Sequence, residues 1–142
     1  VIEEIAARLD RGVDDKQWDV VRAAFADNVE VDIGAVSGKE KVVMTGDAFC
    51  AEVVALNPPD KKAYHSRVNV ITTIDGDRAT VTAQCYGWND CPLFDPSVYE
   101  VWGAMTHGFV RTSQGWRIDR TRMEKWREAG NAEVSNYRGV GK

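Results

Sequence analysis

Long apolar runs are missing from this 142-residue chain, and none approaches the roughly 18 residues that a membrane-spanning helix needs. Its opening, VIEEIAARLD, is amphipathic and acidic, which does not suit a secretory leader. Cysteine is scarce and odd in number: Cys50, Cys85 and Cys91 fit no zinc spacing and imply no disulfide framework. Reduced thiols in a cytoplasmic protein are the simplest expectation. Lysine and arginine never cluster into a stripe, and the formal net charge is −4, so no nucleic-acid partner is expected. Glycine-rich phosphate loops, GxSxG elbows and HExxH helices are all missing. The Asp75-Gly76-Asp77 triplet lacks the oxygen ligands that continue a calcium loop. Neither a metal nor an organic cofactor is expected. Histidine, the commonest acid–base group at neutral pH, occurs only twice, as His65 and His107.

What is present suits one globular unit. Apolar residues make up 44% and charged residues 28%, and the length supports a single core. Ile2, Ile5, Ala6, Leu9 and Val13 recur at helical spacing, and a second pattern starts at Trp18, Val21 and Phe25. Residues 1–26 therefore read as two short helices joined at Gly-Val-Asp-Asp. Residues 29–33 alternate as a strand, 37–46 read as a loop with an apolar centre, and 46–56 suit a third helix. Four strand-like stretches follow, at 63–74, 78–88, 98–112 and 116–126. A DGD turn joins the first two and SQG the last two. The domain is expected to span 1–126, followed by a polar, glycine-rich tail at 127–142, weakly ordered or reaching to a partner subunit. Strands grouped after helices predict an α+β fold, with the helices against one face of an antiparallel sheet. Helices fill the concave side of a curled sheet only in part, which leaves a pocket open at one end.

The side chains that could work in such a pocket each have a plainer reading. Asp14 stands three residues before Gln17, the spacing of a capping box, so it predicts a helix N-cap, with Asp15 as an alternative. Asp10 and Asp15 read as solvated helix charges. His65 and His107 both fall inside strands, where a histidine is commonly half-buried and bonded to a neighbour. Alternation puts His65, Arg67, Asn69 and Ile71 on one strand face, and Val101, Gly103, Met105, His107 and Phe109 on one face of another. A bulge would swap these assignments. Tryptophans such as Trp18 read first as core.

Four stretches taken in order carry a resemblance: GVDDKQWD before FADNVEVD, the H-x-x-x-N strand from His65 to Asn69, the DGD hairpin, and FVRTSQGWRI at 109–118. Together, over about residues 2–125, they resemble the SnoaL-like branch of the nuclear transport factor 2-like superfamily. Scytalone dehydratase, lindane dehydrochlorinase, bile-acid dehydratases, steroid isomerases and polyketide cyclases belong to that superfamily. The resemblance implies a cone-shaped curled sheet with the N-terminal helices packed on its concave face. It also implies a cofactor-independent lyase of dehydratase type. Asp14 and His65 match the aspartate–histidine pair of scytalone dehydratase and lindane dehydrochlorinase, which takes a proton from carbon, and His107 matches the second histidine of scytalone dehydratase. A carboxylate beside the imidazole would fix one tautomer and stabilise the imidazolium. Trp18, Asn69, Tyr86 and Tyr99 are the candidates for contact with the substrate, a small hydrophobic cyclic molecule. Tyr86, Thr106 or His107 could polarise its carbonyl. Val13 stands where the dehydratase carries a tyrosine. Isomerisation or ring closure in the same pocket is the alternative chemistry, and a ligand-binding or dimerisation module the alternative role. The resemblance further implies a homodimer or small homo-oligomer.

Overall fold

The computed structural model describes residues 1–140. Two helices open the chain, α1 (Ile2–Asp14) and α2 (Trp18–Ala24), and strand β1 (Phe25–Asp32) follows directly. A short helix α3 (Gly34–Ser37), strand β2 (Val42–Thr45) and helix α4 (Gly46–Ala55) precede four long strands. These are β3 (Lys62–Asp75), β4 (Arg78–Asp90), β5 (Val98–Thr112) and β6 (Gly115–Gly130), and a last short helix α5 (Ala132–Asn136) follows them.

The six strands form one sheet in the order β2-β1-β6-β5-β4-β3. The meander β3–β6 is antiparallel, as its turn chemistry predicts. Asp75 pairs with Arg78, and Gly76 takes φ +60° at the tip between them, a conformation that costs glycine little. The sheet as a whole is mixed rather than antiparallel, because β1 lies parallel to β6. Strand β2 was expected as loop. Its valines Val42 and Val43 are largely exposed, so it shows no alternation, and pairing with β1 alone makes it a strand. Register shifts interrupt β3 between Val68 and Ile71, and β5–β6 at Trp102/Gly103 and Gly108/Phe109. Bulges of this kind add local bend and twist to strands this long.

The helices are held by their apolar faces. Ile2, Ala6, Leu9 and Val13 of α1 are buried together with Val21 and Ala24 of α2 and Phe49 of α4. Phe25 of β1 meets Phe49 edge to face, with ring centroids 5.0 Å apart. Thr45 caps α4 by accepting from the Ala48 N–H.

The α1–α2 junction corrects the capping expectation. Asp14 is the last residue of α1, and the N-cap of α2 is Gln17, which makes no side-chain cap bond. Asp15 is the C-cap of α1 rather than an N-cap. The stretch expected to be a loose tail also differs. Strand β6 runs on to Gly130, and Val134 of α5 is fully buried against Cys91 and Tyr99. Its polar composition hid Val134 and Tyr137, which pack there. Residues 141 and 142 lie outside the described part.

Candidate functional site

A cavity of about 640 Å³ opens between the helices and the sheet. Its walls are mainly apolar, with Leu9, Val13, Phe25, Phe49, Val101 and Met105 among them. Asp10 of α1, His65 of β3 and His107 of β5 are among the ionisable side chains that line it. Such a chamber, oily with a few convergent polar groups, is the usual form of a small-molecule site.

Helix α1 runs beside β3, which is an edge strand of the sheet. Four residues along a helix advance about 6 Å, and two residues along a strand advance about 6.6 Å. Asp10 and Asp14 on the helix therefore match Arg67 and His65 on the strand, in opposite chain directions. Two rungs result. In the first, Asp14 Oδ1 lies 2.6 Å from His65 Nδ1, and Asp14 Oδ2 accepts the His65 backbone N–H at 2.9 Å. An edge strand carries outward N–H groups that need partners, and here the carboxylate supplies one. Both oxygens of Asp14 thus face the strand. The imidazole donates from Nδ1, and Nε2 remains to meet a ligand.

In the second rung, Arg67 donates to both oxygens of Asp10, from Nε at 2.5 Å and from Nη2 at 2.9 Å. The same Nη2 lies 2.8 Å from Nε2 of His107. The side chains of Arg67 and Asp10 are only 8% and 13% exposed. Asp10 is therefore not the solvated charge its helical context suggested. Burial, and then the Arg67 charge, hold the His107 pKa well below 6.5, and the backbone at Arg120 offsets this in part.

The other predicted residues divide. Tyr99 lines the cavity, but its hydroxyl donates to Glu128 at 2.6 Å. Burial, and then that bond, raise its pKa, so the phenol keeps its proton. Tyr86 lies on the opposite face of the sheet, where it donates to Glu100 and packs against Trp102. Thr106 pairs with Thr82 and shares that outer face by strand alternation. Asn69 sits at the β3 bulge with φ +53° and bonds to Gln84 in an exposed position, so the alternation that grouped it with His65 is broken before it is reached. Trp18 packs against the core instead of the cavity. None of Trp18, Asn69 and Tyr86 is among the described residues that line the cavity.

Sequence reasoning missed Asp10 and Arg67 as site residues, and also Lys61. Lys61 is 1% exposed, lines the cavity, and donates from Nζ to the Ser135 carbonyl at 2.9 Å. Burial lowers its pKa to about 8. Ser135, Asn136 and Arg138 of the C-terminal segment complete the wall nearby, and Arg138 pairs with Glu52 of α4. The D-x-x-x-D spacing on α1 and H-x-R on β3 were the available signals for the two rungs. Among the described residues no three His, Cys, Asp or Glu side chains converge as a metal would require. No helix among them is long and apolar enough to cross a membrane.

Comparison with known proteins agrees with this architecture. Residues 1–122 match the family described as SnoaL-like domain. A solved protein of Kribbella flavida superposes with a TM-score of 0.84 at 24% identity, covering 95% of this chain and 94% of that one. A scytalone-dehydratase-like protein of Novosphingobium aromaticivorans gives a TM-score of 0.79 at 14% identity, over 92% of this chain and 85% of that one. A hexachlorocyclohexane dehydrochlorinase of Novosphingobium barchaimii gives 0.74 at 12% identity, over 90% and 86%. At these identities the likeness is one of fold. No curated protein matches the chain in sequence.

Proposed function

We propose that this chain, which belongs to the SnoaL-like domain family, is a cofactor-independent lyase of dehydratase type acting on a small, hydrophobic, ring-bearing substrate. The observation that carries this reading is the 2.6 Å contact between Asp14 and His65 at the wall of an apolar cavity. A ligand-binding module needs the cavity but has no use for a carboxylate-backed imidazole in its wall.

In the proposed reaction, His65 Nε2 takes a proton from the carbon next to a ring carbonyl, or vinylogous to it. Asp14 holds the Nδ1 hydrogen and balances the imidazolium charge that forms. The electron pair left on carbon forms the new double bond as the β-hydroxyl departs. The proton on His65 passes to that hydroxyl, so water leaves and the base is restored. General-base help of this kind contributes about 10²–10⁴-fold. Likeness to a dehydrochlorinase and to a dehydratase-like protein supports elimination over other uses of the same base. Isomerisation or ring closure begins with the same proton removal and is the second reading.

Self-association is part of the proposal. The sheet's outer face carries Tyr64 stacked on Trp88, and Trp126 lies exposed at the β6 bulge, a surface suited to a second copy of the chain.

The test is a panel of cyclic ketones carrying a β-hydroxyl, followed by the absorbance of the conjugated enone. Turnover by the wild type that falls about 10²–10⁴-fold in His65→Gln is expected. Panel members that bind in the cavity without reacting would move the protein to the binding class.

A further inference from the structure

We infer that Arg67, charge-balanced by Asp10, is a positioning residue that fixes His107 as a neutral imidazole carrying its hydrogen on Nδ1. A guanidinium has five N–H donors and no acceptor. Its Nη2 lies 2.8 Å from His107 Nε2, so that nitrogen must present a lone pair. An imidazolium there would set N–H against N–H and cation against cation. The hydrogen of the ring therefore sits on Nδ1.

Arg67 cannot turn away from this contact. Two of its nitrogens are held by the two oxygens of Asp10, and the pair is almost wholly enclosed between α1 and β3. A buried ion pair of this kind contributes little net stability compared with apolar residues of the same size. Its effect on a neighbouring group is the better reason for its presence. Among the described residues no carboxylate makes a hydrogen bond or ion pair with the His107 ring; its one side-chain partner is Arg67. Arg67 approaches from β3, with Asp10 of α1 behind it. The Phe109 ring stands edge-on at 6.4 Å on β5, and Thr121 pairs opposite on β6, beside the Arg120 backbone.

The cavity thus holds two imidazoles with opposite electrical settings. His65 is backed by a carboxylate and His107 by a guanidinium. Pairs of titratable groups whose surroundings differ in this way take different roles. On the reading of His65 as the base, proton traffic runs through His65 alone, and His107 is a fixed polar group that does not charge during the cycle. This consequence rests on the proposed function, but the tautomer itself does not.

The experiment is long-range ¹H–¹⁵N NMR of the imidazole rings in the uniformly ¹⁵N-labelled full chain. The chain has only two histidines, so His107→Gln and His65→Gln assign the signals. The expected wild-type result is a neutral His107 with protonated Nδ1 and bare Nε2, unchanged between about pH 6 and 8, which follows from its suppressed basicity. Arg67→Gln is expected to give mixed tautomers and an upward shift of the His107 titration. Arg67→Lys, which keeps a cationic donor, is expected to restore the Nδ1–H form. A wild-type His107 protonated on Nε2, or charged at pH near 7, overturns the inference. So does an Arg67→Gln protein that folds with His107 unchanged. If that variant does not fold, the wild-type spectrum and Arg67→Lys decide. No substrate is needed, so failure of the lyase reading leaves this result standing, and failure here leaves the His65 assays untouched.

Discussion

Asp14 faces His65 with both carboxylate oxygens, one on the ring and one on the backbone N–H. Asp14→Asn keeps the size of the side chain but turns one oxygen into a donor. Either the ring or the backbone N–H then meets another N–H. The expected outcome is a folded protein by circular dichroism with turnover reduced about 10²-fold or more, since charge balance for the imidazolium is lost. Asp14→Ala should show a similar loss, and turnover unchanged in both variants would return the aspartate to a structural role. Asp14, His65 and His107 were legible because their residue types and order in the chain were distinctive. Asp10 and Arg67 were not. A carboxylate in a mostly exposed helical turn reads as solvated until the helix is laid against its strand, and that register is a tertiary property.

At the scale of elements, the β3 bulge decides which side chains reach the cavity. Asn69 adopts φ +53°, a region asparagine tolerates and β-branched residues do not. Asn69→Gly should be nearly neutral for stability and for turnover, whereas Asn69→Val should cost about 1–3 kcal/mol in urea unfolding. A large loss of turnover in a stable Asn69→Gly protein would restore it as a substrate contact. Gly103 of β5 faces the bulge that Trp126 makes in β6. A Cβ built there would stand 1.7 Å from the Glu124 carbonyl oxygen, a backbone atom that cannot swing aside. Gly103→Ala is expected to destabilise by about 2 kcal/mol or more. The strands of the meander were legible because turn residues and alternation mark them locally. The parallel pairing of β1 with β6 was not, since its partner lies some 90 residues on. The bulge residues were also hidden, because an extra residue leaves composition unchanged while reversing the faces beyond it. Tyr86 was lost for a different reason: nothing in its own strand says which face meets the helices.

At the scale of the whole molecule, the C-terminal segment completes the cavity wall. Lys61 holds it through the Ser135 carbonyl, and Tyr137 holds Asp60 through its hydroxyl at 2.7 Å. The Lys61 pKa lies at about 8 in the folded chain against an ordinary 10.5. Between those values the unfolded chain keeps a proton that the folded chain has released, so this group's contribution to stability rises with pH across that window. The stability of wild type relative to Lys61→Met should therefore increase, on the order of 2 kcal/mol, between pH 8 and 10.5 in urea unfolding. A flat or falling difference would mean that the amine is not buried as a costly cation. The proposed catalytic assignment itself is tested most directly by the fate of the hydrogen on the carbon next to the carbonyl. A β-hydroxy cyclic ketone fully deuterated at that carbon is incubated with the protein in H₂O, and loss of deuterium as the enone forms is followed by NMR. Proton removal through His65 and Asp14 predicts rapid loss with wild type, falling by about 10² or more in His65→Gln and Asp14→Asn. Loss that is equally fast in those variants, or absent from a deuterated ketone bound by wild type, would contradict it.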